Sequence, residues 1–563
     1  MKKINIIYLL SLTTLISCDS ILDKEPLDTF TNTNFWKNET NVSGYANEFY
    51  EQFTGYGNGS GSGDFYYKTL SDDQAGQSFA DWTYINIPAS NTTWRDAWIE
   101  VRRANIMLEK VADISTMSDD VRNHWLGVAH LMRAWQYYHL VRMFGNVQWI
   151  EKSLDITDEG ILYGSRDDRD DVMEKVLEDL NFATANINDV TSKTAWSRSL
   201  ANAMKAEVCL YEGTFRKYRK SEDGQDAPDT EGATKYLTAC KEACSAIMAK
   251  SYILNSSYQG NYNSVDLSTN TEMIFYKAYK QSILMHSLIA YTSSSTQISG
   301  MSKNAFEAYL FTDGKPLSLT NFDKSDAAPL KYGHLSLSDM LSMRDKRLAQ
   351  TIDTVVFYDG RTFTRFNDGM GMTSSTGYGV AKYDNKSIPT IYRNQTASNY
   401  THAPLFWLAV IYLNYAEACA ELGSITQSDL DNTINLLKDR AGLPHLSLTV
   451  GFSDPNNNHS VSDLIWEIRR ERRCELMFDN WNRYWDLIRW HQLDKLDSTT
   501  NPDILKGANV INDPNYNATK IGNYIDGSKG KVRTYNKKYY LYPISSDQIS
   551  LNPNLAPNNS GWE

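Results

Sequence analysis

Apolar residues recur at Val121, Trp125, Val128, Met132 and Trp135, at successive spacings of four, three, four and three. A 3.6-residue period brings such positions onto one face, so this is the stripe of an amphipathic helix, and Gly145 follows as its C-cap. The same periodicity predicts helices over 94–111, 171–185, 200–215, 234–249, 405–422 and 430–441. Two of them carry start signals. The run Asp167-Asp168-Arg169-Asp170-Asp171 places negative charge at a helix N-terminus, and Ser428 is expected as an N-cap. The aspartate run reads as a cap and not a metal site, because no calcium loop with its glycine and terminal glutamate follows. Small residues at Ala201, Ala203 and Ala206, and again at Ala416, Ala418 and Ala420, allow close crossings. The expected class is mostly α, with helices packed in TPR-like pairs but without a strict 34-residue consensus.

Long polar stretches separate these helices. Segments 54–93, 255–300, 311–336 and 358–401 exceed what a compact helical repeat needs, and loops of this length are commonly functional. Their aromatic residues, among them Phe65, Tyr66, Tyr67, Trp82, Tyr84, Tyr258, Tyr262, Tyr378 and Tyr392, argue against disorder.

Charge and cysteine usage exclude several classes. The formal net charge of the 563 residues is −12, which leaves no basic face for nucleic acid. Six cysteines are too few for a disulfide scaffold. Cys209, Cys240, Cys244, Cys419 and Cys474 are expected as buried free thiols, and Cys240 and Cys244 lack the CxxC spacing of a zinc or redox site. Beyond the first residues no apolar run approaches the roughly 20 needed to span a bilayer. Lys2 and Lys3 followed by a short apolar core to Ile16 read as an export signal. It ends in Leu15-Ile16-Ser17-Cys18, which resembles the lipobox of bacterial lipoproteins, whose cysteine is acylated after cleavage. Two or three acyl chains anchor firmly where one does not. The expected organisation is a signal peptide over 1–17, a lipidated tether over 18–38 carrying Asp19, Asp23 and Glu25, and a single domain over 39–563.

Catalytic patterns are missing from the sequence. There is no HExxH, GxSxG or P-loop, and the glycine cluster from Gly55 to Gly63 fails GxGxxG and reads as a turn. The nine histidines show no ligand spacing. No cofactor, metal or enzymatic activity is expected, although abundant carboxylates leave a glycosidase pair as the weakest alternative.

Four blocks carry a family resemblance. The first is Arg133-Ala134-Trp135-Gln136-Tyr137-Tyr138 with Arg142 to Val147, where Gln148 replaces the usual proline. The second is Asn414-Tyr415-Ala416-Glu417-Ala418 with Glu421-Leu422-Gly423 and Arg440-Ala441-Gly442-Leu443. The third runs from Glu467 to Arg473, then Glu475-Leu476 and Trp485-Asp486-Leu487-Ile488-Arg489-Trp490. The last is Leu541-Tyr542-Pro543-Ile544 with Asn552-Pro553-Asn554-Leu555. Together they resemble the SusD/RagB family of outer-membrane nutrient-binding lipoproteins of Bacteroidetes. Independently of the name, Glu467, Arg470, Glu471 and Glu475 lie on one helix face beside further arginines, a charge-laced scaffold able to pair with neighbouring helices.

The resemblance implies a SusD-like fold: TPR-like helices mainly in 94–250 and 404–490, and ligand-binding loops in 54–93, 255–300 and 358–401. It implies a lipid-anchored protein at the cell surface. Such a protein captures oligosaccharides and, as a lid, delivers them to a SusC-like TonB-dependent transporter. A compact Trp/Asp/Arg site would suit a fructan of the levan type as well as a hexose polymer, and peptide or other nutrient capture is the alternative. Aromatic planes stack on sugar C–H faces while Asp, Asn and Arg bind hydroxyls. The site is therefore sought on the loops: Trp82 as stacking platform, with Tyr84, Asp64 and Asp73 nearby in sequence, and Arg365 with Tyr392 from a second loop.

Overall fold

The computed structural model describes residues 35–563, apart from 62, 66–68, 77–78, 80–81, 294–298, 323, 325–331, 358–373, 460, 480–481 and 514–515. Cys18, the signal segment, most of the tether and Arg365 lie outside the described residues.

Five long helices form a consecutive antiparallel stack: α1 (Thr92–Ala112), α2 (Asp119–Phe144), α3 (Arg169–Asn186), α4 (Arg198–Tyr218) and α5 (Thr230–Met248). Each starts at an N-cap whose side-chain oxygen accepts a backbone N–H: Asn91, Ser118, Asp168, Ser197 and Asp229. The aspartate run thus caps α3, as expected. Gly145 closes α2 at φ +70°, a left-handed-region conformation that suits glycine. Between α4 and α5 the helices approach so closely that a Cβ on Gly213 would sit 2.7 Å from the Leu237 side chain. Ala201, Ala203 and Ala206 of α4 are buried too.

The chain then leaves the stack and returns as α6 (Leu408–Glu421), which packs on α5, α4 and on α7 (Asp463–Glu475). The short helix Gln427–Asp431 is capped by Thr426 and not by Ser428; Thr426 and Asp429 exchange the two bonds of a capping box. Helix α8 (Asn482–Arg489) closes against α4. Among the described residues no helix is long and apolar enough to cross a membrane.

Two large apolar cores result. One fills the helical stack; the other lies among α6, α7 and the long loops. A ribbon of β2 (Met273–Lys277) and β4 (Ala403–Trp407), paired antiparallel, is the wall between them. Phe275 and Phe406 point to the first core and Met273 and Trp407 to the second. Strands buried on both faces read as continuous apolar runs, as Met-Ile-Phe-Tyr does here. The five cysteines of the described chain are buried and unbridged, as expected.

The charge-laced segment of α7 is buried rather than superficial. Arg347 pairs with Asp345, Glu471 and Glu475 at 2.6, 2.5 and 2.8 Å. Arg472 reaches Asp486 at 2.9 Å, and Arg489 grips Glu417 through two bonds of 2.6 and 2.8 Å. Bidentate geometry of this kind offsets the desolvation that buried charges suffer.

Candidate functional site

The ends of the three long loops are stitched together at one place. Strand β1 (Gln74–Gly76) pairs with β3 (Ser299–Met301), and the Ser375 hydroxyl donates to the Ala75 carbonyl at 2.9 Å. Ala508 N–H donates to the Thr376 carbonyl at 2.7 Å. A Cβ on Gly300 would fall 2.3 Å from the Thr376 hydroxyl, and one on Gly507 2.0 Å from the Thr376 carbonyl. The junction is therefore backbone against backbone.

Most loop aromatics are inside. Tyr56, Phe65, Tyr258, Tyr262, Tyr279, Tyr378 and Tyr383 belong to the second core. Their hydroxyls are satisfied there: Tyr56 donates to the Tyr262 carbonyl at 2.7 Å, and Tyr262 to Asp479 at 2.7 Å. Ring edges and faces take over the packing that an amphipathic stripe provides elsewhere.

The residues expected to grip a ligand fall in separate places. Trp82 is 6% exposed, stacks on Tyr539 with centroids 4.2 Å apart, and donates its indole N–H to the Thr534 carbonyl at 2.7 Å. It is a packed core side chain and not an exposed platform, because the C-terminal segment covers its face. Tyr84, half-buried, meets Tyr542 edge-on at 5.2 Å. Asp73 is buried and bound to Arg473 at 2.8 Å, so it holds a scaffold and is not open to hydroxyls. Asp64 accepts the Thr54 hydroxyl within its own loop. Tyr392 packs with Ile289, Ile388 and Tyr400 in a small separate cluster. The structure does not bring these five together.

Two sizeable concavities among the described residues bear on a ligand. One, of about 450 Å³, opens on the helical stack between Trp98, Tyr163 and Leu551. Three of its four amides are already used: Asn105 donates to the Ile150 and Lys152 carbonyls at 2.8 and 3.2 Å, Gln148 to Ile161 at 2.8 Å, and Asn552 to Gly164 at 2.9 Å, while Gln548 is the fourth. What it offers a ligand is mainly apolar.

The other is a polar cleft of about 770 Å³. Its floor is Asp72, next in sequence to the expected Asp73, with Arg473 and Arg483. Its walls come from 303–308, 316–318, 454–458 and 494–503, with Trp466 and Tyr535 as half-buried aromatics. Arg483 holds Asp72 by bonds of 2.7 and 2.6 Å. Burial opposes charge on Asp72, yet Arg473 and Arg483 hold its carboxyl well below the usual range. Asp73 moves the other way, pushed up by burial beyond what Arg473 recovers. Trp466 donates weakly to Asp454 at 3.4 Å, and Arg470 binds Asp454 and Glu467. Among the described residues the Asn456 and Asn458 amides and the Ser318 hydroxyl make no side-chain hydrogen bond, which leaves them for a ligand. Lys495 projects its ammonium 4.5 Å from the Trp466 ring centroid. Burial, reinforced by Arg483 and Arg473, lowers it to about 7.

Trp466 was not among the expected aromatics because it abuts the arginine-rich signature block that begins at Glu467, which reads as scaffold. Its signal was an indole in a helix whose buried face is otherwise filled by Ile468, Glu471, Arg472 and Glu475.

Polar cleft, helix-pair stack and buried arginine signature together define a mostly helical fold with a large polar cleft. Residues 245–562 match the model of the SusD family, and residues 22–210 match one described as starch-binding associating with outer membrane. The chain belongs to the SusD family. It is 23% identical over 480 residues to SusD-like protein P2 of Formosa agariphila, a match spanning 83% of this chain and 80% of that one. SusD-like protein P38 of the same organism is 27% identical over 220 residues, covering 37% of this chain but only 42% of that protein. The crystal structure of a SusD-like carbohydrate binding protein from Bacteroides fragilis superposes with a TM-score of 0.69 at 22% identity. That superposition covers 93% of this chain and all of the other.

Proposed function

We propose that this protein captures glycans at the polar cleft without transforming them, as a lipid-anchored protein of the outer-membrane surface that hands its cargo to a TonB-dependent transporter of the SusC type, acting as its lid. The observation that carries the reading is the cleft itself: about 770 Å³ lined by amides, hydroxyls, carboxylates and arginines around Trp466 and Tyr535. A sugar presents hydroxyls that suit the former and C–H faces that suit the latter. The starch-binding, outer-membrane description of the N-terminal family model and the carbohydrate-binding name of the Bacteroides fragilis neighbour support the ligand class. The Ser17-Cys18 junction supports the anchor.

A single sugar subsite typically supplies about −4 kcal/mol, a millimolar affinity. Repeated units on one chain and a seated transporter raise the effective concentration. Titration calorimetry against a panel of neutral and acidic oligosaccharides tests the proposal. Trp466→Ala is expected to weaken the best ligand at least about tenfold, or ~1.4 kcal/mol, with helical content unchanged. Binding that is indifferent to Trp466 removes the cleft from the account, and no glycan binding at all removes the function.

A further inference from the structure

The charges lining the cleft are nearly all spoken for. Asp72 is shared by Arg483 and Arg473, and Arg473 also holds Asp73. Arg470 is taken by Asp454 and Glu467, Lys303 by Asp503, and Glu307 by Arg344. Asp497 accepts the backbone N–H of Thr499 and of Tyr535 at 2.8 and 3.0 Å, and the Thr499 hydroxyl at 2.5 Å. Asp494 is exposed and turned toward His459, 3.5 Å away. One cation stands apart. Among the described residues no carboxylate lies within 4 Å of the Lys495 ammonium, which instead rests over the Trp466 indole.

This arrangement is unfavourable as it stands. Lys495 lies in the field of Arg483, Arg473 and Arg469, with Asp72 the opposing charge. The indole orients the ammonium but replaces only part of the attraction a carboxylate would give. An oxyanion brought by a ligand supplies the rest, and cleft walls of low dielectric strengthen the pair relative to water.

Resting on the glycan reading above, we propose that the cleft selects sugars bearing a carboxylate or a sulfate, with Lys495 as the counter-charge and Trp466 as the surface that positions it. The lowered ammonium of Lys495 then recovers its proton when the oxyanion arrives, so binding above neutral pH takes up a proton. The other groups facing it do not mimic this signal. Those groups are Arg469, Arg473, Arg483, Asp72, Asp494, Asp497 and His459: Asp72 is held ionised by Arg473 and Arg483, Asp72 raises Arg483 against burial, hydrogen bonds from Thr499 and Tyr535 lower Asp497, and His459, lowered to about 4 by burial, is neutral at pH 8.

The experiment titrates the purified protein with matched pairs: oligogalacturonate against its methyl ester, and a sulfated oligosaccharide against its desulfated form. The acidic member of at least one pair is expected to bind about tenfold tighter or more. Lys495→Met abolishes the difference and Lys495→Arg retains it. Heats measured at pH 8 in buffers of different ionisation enthalpy show proton uptake in the wild type and none in either variant. Which pair responds distinguishes uronate from sulfate. Equal binding within both pairs, a preference that survives Lys495→Met, or binding of neutral glycans alone overturns the charge assignment and leaves glycan capture standing. Failure of every glycan, neutral or acidic, overturns both.

Discussion

Glu417 offers the sharpest test of the buried ion-pair frame. It is 1% exposed and accepts two bonds from Arg489, at 2.6 and 2.8 Å, and one from the Trp490 indole at 2.7 Å. Burial raises its pKa, but Arg489, then Arg472 and Arg469, outweigh burial and pull it from 4.5 to about 2. At about 1.4 kcal/mol per pH unit, that corresponds to ~3 kcal/mol of folding stability. The folded value is depressed, so this contribution is present above pH ~4.5 and is lost as pH falls toward 2. Glu417→Gln keeps the shape and removes the charge, leaving Arg489 with Asp486 as its remaining carboxylate partner at 2.8 Å. Urea unfolding followed by circular dichroism at pH 7 is expected to show a loss of about 3 kcal/mol, and the gap between variant and wild type should narrow below pH ~4.5 and close toward pH 2. An unchanged urea midpoint at neutral pH, or a gap that ignores acid, refutes the argument that this network holds α6 to α8.

Two further outcomes follow from the packing. Trp82→Ala removes a stacked, hydrogen-bonded indole and should destabilise the fold by roughly 3 kcal/mol or more, while any variant that still folds keeps its glycan affinity; calorimetric binding alongside thermal unfolding separates the two effects. Cys209, Cys240, Cys244, Cys419 and Cys474 are buried, and burial raises the thiols of Cys209, Cys240, Cys419 and Cys474. An aromatic disulfide reagent should leave the native protein unmodified at these five positions and titrate them on denaturation.

The helices were legible in the sequence because their signals are local. A stripe such as Val121 to Trp135 and a cap such as Asp168 are written within a few residues of the element they shape. The site was not, because what decides it is remote. Trp82 looks like an exposed loop indole until Thr534 and Tyr539 arrive from the far end of the chain, and Asp73 looks free until Arg473 does. Ser428 failed for a smaller reason. Thr426 with Asp429 satisfies two donors where a lone serine satisfies one. The arginine-rich signature reads as scaffold, but its burial is not visible in the sequence, since Arg347, Glu421 and Glu417 come from other segments, and neither is the place of Arg470 and Arg473 in the cleft lining.

Helix α6 and the β2–β4 ribbon contribute side chains to both cores at once. A molecule whose interior halves share a common beam has no seam along which to flex. A large hinge motion of one core against the other would have to break this shared packing, and a force applied to one half is carried through the beam to the other.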